Sequence, residues 1–228
     1  MKDITLLYYT ANVAPDNFTK NIRKHLLSWL PKEIPIISVS QKPIDFGYNI
    51  CVGEIGQSIY NIYKQILVGA FKITTGYTAM CEDDSLYNLE HFNYRPKSDT
   101  FAYNQNRLNV HKDIFFYRRR AGMCMCIVPT QLLIETLKRR FAEYPERPDG
   151  SHFRKENLVG FGEPGRCELK LGLPSVLMET FMTGTPTVTF SHKDGVGGIR
   201  KIMSSDVVVA EDPYWGKAAD LWNCMYND

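Results

Sequence analysis

Two hydrophobic periods alternate along the first part of the chain. Ile4-Thr5-Leu6-Leu7-Tyr8-Tyr9-Thr10 is a run of aliphatic, β-branched and aromatic residues that predicts a buried strand ending at Ala11-Asn12. Pro15-Asp16 then opens a helical spacing of Phe18, Ile22, Leu26, Leu27 and Leu30, which Pro31 stops. Pro35 to Ser40 reads as a second strand, so the opening elements form a βαβ unit. A loop through Gly47, Gly53 and Gly56 follows. Gln57-Ser58 starts a helix carrying Ile59, Ile62, Tyr63, Ile66, Leu67 and Ala70, ending at Gly76, and a short apolar strand runs to Cys81. Strand, helix, strand, helix, strand is the order of a nucleotide-binding half with a parallel sheet.

The remaining sequence has a different texture. Thr100–Asn104, Arg107–Val110 and Phe115-Phe116-Tyr117 read as short antiparallel strands, and Ala121 to Val128 as an apolar strand. Thr130 is placed to cap a helix that shows Leu132, Leu133, Leu137 and Phe141 on one face. From Glu143 to Glu168 the pattern dissolves into Pro, Gly and charge, as in a lid that orders over a ligand. Thr185–Phe190 predicts a late strand ending at Ser191-His192, before the glycine-rich Gly195-Val196-Gly197-Gly198. Val207–Ala210 and a short Trp-containing helix close the chain. The expectation is a single α/β domain over residues 1–228, with a Rossmann-like half (1–92) joined to a mixed half (93–228) that contains the loop 143–168.

Glu82-Asp83-Asp84 sits where the third strand stops. Alternation along a strand points Glu82 and Asp84 one way and Asp83 the other. Carboxylates that close repel one another, and hard oxygen ligands of this kind suit Mg²⁺ or Mn²⁺ together with a diphosphate. Their position fits the rule that open α/β sheets bind ligands at the carboxyl ends of their strands.

Composition narrows the reading. A formal net charge of +2 over 228 residues demands no nucleic-acid partner. The six cysteines form no C-x-x-C pair, and Cys124-Met125-Cys126 would place both thiols on one strand face. Reduced, mostly buried thiols fit a cytoplasmic protein. Met1-Lys2-Asp3 leads straight into a strand rather than a signal sequence, and no apolar run approaches the ~20 residues of a membrane span.

From Ile4 to about His91 the arrangement resembles the GT-A-type glycosyltransferases of the large family-2-like group, some of which occur in phage genomes. The resemblance implies a GT-A-like fold, a nucleotide-sugar donor and a divalent metal. It implies that the loop Thr10-Ala11-Asn12 touches the nucleoside, that Gln41 stands where the family reads the base, and that Asn61 closes a Gly56-Gln57-Ser58-Ile59-Tyr60-Asn61 segment facing the ligand. The family's Asp-x-Asp falls on Glu82-Asp83-Asp84, which makes Asp84 the direct metal ligand and leaves Glu82 and Asp83 for donor contacts. A downstream histidine often completes such metal sites, and His192 fits that role. The sequence departs from the family at Tyr60, where an arginine is usual, and at Ser40-Gln41, where an acidic residue is usual.

A transfer reaction of the inverting kind needs a general base. Glu163, among the small residues of Gly160-Phe161-Gly162-Glu163-Pro164-Gly165, is the first choice, with Glu168 and Glu179 as alternatives. The basic clusters Arg118–Arg120, Lys138–Arg140 and Arg147/Arg154/Lys155 permit a polyanionic acceptor, such as hydroxymethylated pyrimidines in phage DNA; a saccharide is the other candidate. A nucleotidyltransferase would share the strand-end carboxylates, but Tyr9-Thr10-Ala11-Asn12 is not its glycine-rich basic loop. A non-catalytic sugar-nucleotide-binding module is the third reading.

Overall fold

Ile4, Leu6 and Tyr8 pack on one side of the first strand and Leu7 and Tyr9 on the other, all of them buried, so this strand lies inside a covered sheet. The computed structural model describes residues 2–117, 120–146, 161–196 and 198–227. In chain order the elements are β1 (Ile4–Thr10), α1 (Asp16–Trp29), β2 (Ile36–Ser40), β3 (Tyr48–Cys51), α2 (Ile59–Ala70), β4 (Tyr77–Glu82) and β5 (Ser85–Leu86). Then come β6 (Thr100–Asn104), β7 (Arg107–His111), β8 (Ile114–Tyr117), β9 (Cys126–Pro129) and α3 (Thr130–Glu143). The last are β10 (Leu177–Phe181), β11 (Thr187–Phe190), β12 (Val207–Val209), β13 (Glu211–Asp212), β14 (Gly216–Lys217) and α4 (Ala218–Tyr226).

Seven strands make the main sheet, in the order β10-β6-β9-β4-β1-β2-β3. β4, β1, β2 and β3 run parallel, β10 and β6 run parallel to each other, and β9 lies antiparallel to both of its neighbours. The protein is therefore mixed α/β with a mainly parallel sheet. α2 and α3 supply Tyr60, Tyr63, Ile66, Leu133 and Leu137 to one core, and α1 supplies Leu26 to the core on the other side. At Gly69 a side chain would run into Leu7, so glycine lets α2 approach the sheet closely. A second sheet, β12-β8-β7-β11-β5, packs against Phe18, Ile22 and α4.

Several sequence expectations change. α2 ends at Ala70 rather than Gly76, with turns in between. The segment expected as loop after Gly47 contains β3, which pairs with β2. β6 and β7 do not pair with each other: β6 joins the main sheet and β7 the second one. The stretch from Ala121 splits into a 3₁₀ turn at Met123–Met125 and then β9, so Cys124 and Cys126 do not share a strand. Pro129, not Thr130, occupies the N-cap of α3; the Thr130 hydroxyl instead meets that of Thr78 at 2.9 Å. Of the loop 143–168, residues 147–160 lie outside the described residues, as do Arg118 and Arg119, Arg147, Arg154 and Lys155. All six cysteines are free, and four are buried. Among the described residues no helix is long and apolar enough to cross a membrane.

Candidate active site

β1 and β4 are parallel neighbours, with Tyr9 in register with Glu82, so their carboxyl ends emerge together. The Tyr9 hydroxyl donates to Glu82 Oε1 at 2.7 Å, and the Thr10 hydroxyl donates to the Asp83 carboxylate. β4 stops at Glu82, and a turn at Asp83-Asp84 carries the chain into β5 of the second sheet. That turn breaks strand alternation, and all three carboxylates line one cleft, contrary to the expectation that Asp83 faces away.

The same turn explains how His192 arrives. β5 pairs antiparallel with β11, Thr189 opposite Ser85, and the Phe190 amide donates to the Asp84 carbonyl at 2.8 Å. The chain leaving β11 therefore passes beside Asp84. His192 Nε2 lies 3.6 Å from Asp84 Oδ2, and Nδ1 lies 3.8 Å from Asp194 Oδ2. Both ring nitrogens are buried and neither has a hydrogen-bond partner. Ser85 Oγ donates to Asp84 Oδ1 at 2.9 Å, which leaves Oδ2 turned toward the histidine.

Electrostatics divide the carboxylates. Burial, reinforced by the Asp84 charge, pushes Glu82 up to about 7 against the help of the Tyr9 hydroxyl. Asp83 is pushed up to about 6 for the same two reasons, with Thr10 opposing. Burial also works against Asp84, but the His192 imidazole and the Arg200 charge outweigh it and hold Asp84 below the usual carboxylate range. Burial works against protonation of His192; Asp84, Asp83 and Asp194 together outweigh it and raise the imidazole. The corner is short of positive charge.

A divalent cation fits that deficit. Among the described residues no three His, Cys, Asp or Glu side chains are grouped to hold a metal alone. Mg²⁺-type ions, however, commonly take one or two protein ligands and complete their shell with water and substrate phosphate. Two ligands of one such ion stand about 3 Å apart when each is ~2.1 Å from it, close to the 3.6 Å between Asp84 and His192. Asp194 lies on the far side of the ring, 3.8 Å from Nδ1, beyond hydrogen-bond distance.

The cleft encloses about 640 Å³. Thr10, Gln41, Glu82, Asp83, Asp84, Glu163 and His192 line it; Asn12 and Asn61 do not. Asn12 takes a positive φ of 56°, and its Oδ1 accepts the Gln41 and Lys42 amides, bracing the ends of β1 and β2 together. Asn61 Nδ2 donates to the Ile55 and Gly56 carbonyls, and its amide is capped by Ser58. The Gln41 amide is bonded at both ends to Gly56, so only its remaining capacity faces the cleft. Glu163 lies 3.5 Å from Arg166. The alternative bases are elsewhere: Glu168 is buried in an ion pair with Arg140, and Glu179 accepts from the Tyr94 hydroxyl outside the cleft.

Sequence reasoning missed the cations on the cleft wall. Arg107 comes from β7, and Arg200 and Lys201 follow the glycine-rich stretch 195–198. Basic residues directly after such a stretch were a usable signal for Arg200; Arg107 sits in an ordinary strand pattern and offered none. Of the basic run Arg118–Arg120, Arg120 is a cleft residue.

No protein-family model and no curated protein sequence matches the chain. Among solved structures it is similar to a glycosyltransferase involved in the glycosylation of the major capsid of PBCV-1. The identity is 9%, covering 82% of this chain and 91% of that one, with a TM-score of 0.48. A nucleotidyl transferase from Methanothermobacter matches at 12% identity over 80% and 88% of the two chains, with a TM-score of 0.40. S. aureus TarS matches at 11% identity, covering 84% of this chain but 37% of its own, with a TM-score of 0.40. Likenesses this remote carry nothing about activity.

Proposed function

We propose that the protein is a metal-dependent, inverting glycosyltransferase of GT-A type that moves a sugar from a nucleotide-sugar donor to a hydroxyl acceptor. The observation that supports this best is Asp84 facing His192 across the junction of the two sheets, with both ring nitrogens unsatisfied, at the carboxyl ends of parallel strands. Asp84 and His192 would hold Mn²⁺ or Mg²⁺, with Glu82 and Asp83 beside them. Bound there, the ion would neutralise charge growing on the departing diphosphate.

The chain's own residues supply the rest. Thr10, Ala11, Val13, Gln41 and the start of α2 form the wall that suits a nucleoside. Glu163 takes the proton of the acceptor hydroxyl as its oxygen bonds to the anomeric carbon and the bond from that carbon to the diphosphate breaks.

Hydrolysis of a panel of sugar nucleotides, with no acceptor added, tests the reading. The protein should release nucleoside diphosphate with Mn²⁺ and stop in EDTA. Asp84→Ala should lose at least about a hundredfold of that rate. It should stay folded, because it removes a charge from a crowded acidic corner while the backbone contact to Phe190 remains. Release of pyrophosphate from nucleoside triphosphates, with sugar nucleotides left intact, would sink the proposal in favour of nucleotidyl transfer.

A further inference from the structure

The second sheet brings to the cleft a guanidinium that forms no ion pair among the described residues. Arg107 is 5% exposed, yet among the described residues its Nε has no hydrogen-bond partner and its Nη1 reaches the Cys124 sulfur, at 3.6 Å. Burial, helped by the Glu82 charge, pushes that thiol up to about 12, so the sulfur carries no charge to offset the arginine. Among the described residues no carboxylate forms an ion pair with Arg107 or with Arg200. Arg200 Nη1 instead donates to Asn109 Oδ1, and Asn109 lies two residues beyond Arg107 on β7, on the same strand face. Burial and the neighbouring Arg107 charge pull Arg200 below the usual guanidinium range, against the opposing charges of Asp84 and Glu82.

A buried cation such as Arg107, with no anion bonded to it, is expensive unless a ligand supplies one. The local chain makes room for the guanidinium itself. Gly122 borders the cleft, and a Cβ there would stand 2.5 Å from Arg107 Nη1.

We infer that Arg107 and Arg200 form a metal-independent anion site in the cleft, suited to the oxygens of a phosphate or carboxylate group. Guanidinium groups bind such oxyanions through paired, charge-assisted hydrogen bonds. The site requires neither the metal nor turnover, so it stands or falls apart from the transferase reading.

The test is calorimetric titration of the full chain with inorganic phosphate and with pyrophosphate, in EDTA and at matched ionic strength. Wild-type protein should bind; Arg107→Gln and Arg200→Gln should each weaken binding about tenfold or more. Gly122→Ala is the milder second variant. Its backbone is extended at φ −149°, which alanine adopts freely, and the added methyl displaces only the end of the arginine. It should weaken phosphate binding while leaving the melting temperature near wild type, and it decides the matter if Arg107→Gln fails to fold. Absence of metal-free binding by wild type, or undiminished binding by Gly122→Ala and Arg200→Gln, would overturn the site. Adding Mg²⁺ with each common nucleoside diphosphate then separates the sources. Displacement of phosphate assigns the site to the donor's diphosphate; phosphate bound alongside the nucleotide assigns it to an anionic acceptor.

Discussion

His192 is held from three sides by contacts that are not hydrogen bonds: Asp84 at 3.6 Å, Asp194 at 3.8 Å, and the Phe18 ring with its centroid 5.6 Å away. Its charge couples favourably to Asp84, but neither ring nitrogen makes a hydrogen bond among the described residues, which is the physical reason to give it a ligand. His192→Ala should lower the melting temperature mainly at mildly acidic pH, where the imidazole is charged, and less at higher pH. It should raise the metal concentration for half-maximal donor hydrolysis about tenfold or more, since perturbing even outer-shell partners costs 10–100-fold. An unchanged metal titration would return His192 to a packing role. Asp83→Asn should be milder than Asp84→Ala, for a reason different from strand alternation. The Asp83 carboxylate already accepts the Thr10 hydroxyl, and an asparagine Oδ1 can keep that bond.

Elements carry the site residues, and one ion pair fixes the element that carries Glu163. Arg140 on α3 is fully buried; its Nε and Nη2 bond Glu168 Oε1 at 2.9 and 2.5 Å, and its Nη1 bonds the Gly162 carbonyl at 2.9 Å. Segment 161–168 is thus clamped to α3 on either side of Glu163, and Arg140 is no surface cation. Glu168→Ala leaves a buried guanidinium uncompensated and should cost about 3–5 kcal/mol of stability, measured by denaturant unfolding. A loss under about 1 kcal/mol would mean that the clamp is not formed in solution. The 3₁₀ turn Leu89–Asn93 carries a second buried titratable group. His91 Nδ1 accepts from Asn104 Nδ2, its Nε2 has no partner, and burial holds the imidazole down to about 3 from its ordinary 6.5. Above 6.5 both states are neutral and the contact contributes fully. As pH falls from 6.5 toward 3, the unfolded chain takes up a proton that the folded one refuses. Stability should then fall by up to about 1.4 kcal/mol per pH unit. His91→Gln should flatten the difference in melting temperature between neutral and mildly acidic pH; an unaltered difference would exclude His91 as its source. What the sequence made legible follows burial. β1, β4 and β9 lie within the main sheet and show as apolar runs, whereas β3 and β10 are its two edges, with Tyr48 and Leu177 exposed, and leave no comparable pattern. Thr10, Glu82 and Asp84 were legible because a strand end announces itself; Arg107 and Asn109 were not, because only the β7–β11 pairing puts them on the cleft wall.

At the scale of the whole molecule, the cleft lies where the chain crosses from the main sheet into the second one, so Asp84 after β4 and Arg107 on β7 line the same space. The Arg200 charge acts on Asp84 and Glu82, while Arg107 forms no ion pair among the described residues. Net charge is only +2. Of the cluster Lys138–Arg140, Arg140 is buried and Arg139 sits 3.7 Å from Glu135, and Lys138 is exposed with no ion pair among the described residues. A saccharide acceptor would be recognised by directed hydrogen bonds in the cleft, whereas duplex DNA would draw on the basic clusters Arg118–Arg120 and Arg147/Arg154/Lys155, of which Arg120 lies among the described residues. A DNA acceptor would engage several phosphates at once, and each contributes about −0.9 to the slope of log binding constant against log salt. Transfer of labelled sugar should be measured to hydroxymethylated duplex DNA and to a panel of saccharides, at low and moderate salt, with Arg120→Glu alongside. Saccharide transfer should show a slope no steeper than about −1, the most that a single anionic group would give. Transfer to DNA with a slope of several units, made shallower by Arg120→Glu, would assign DNA as the acceptor and give the cleft's cations a role in tracking a phosphate backbone.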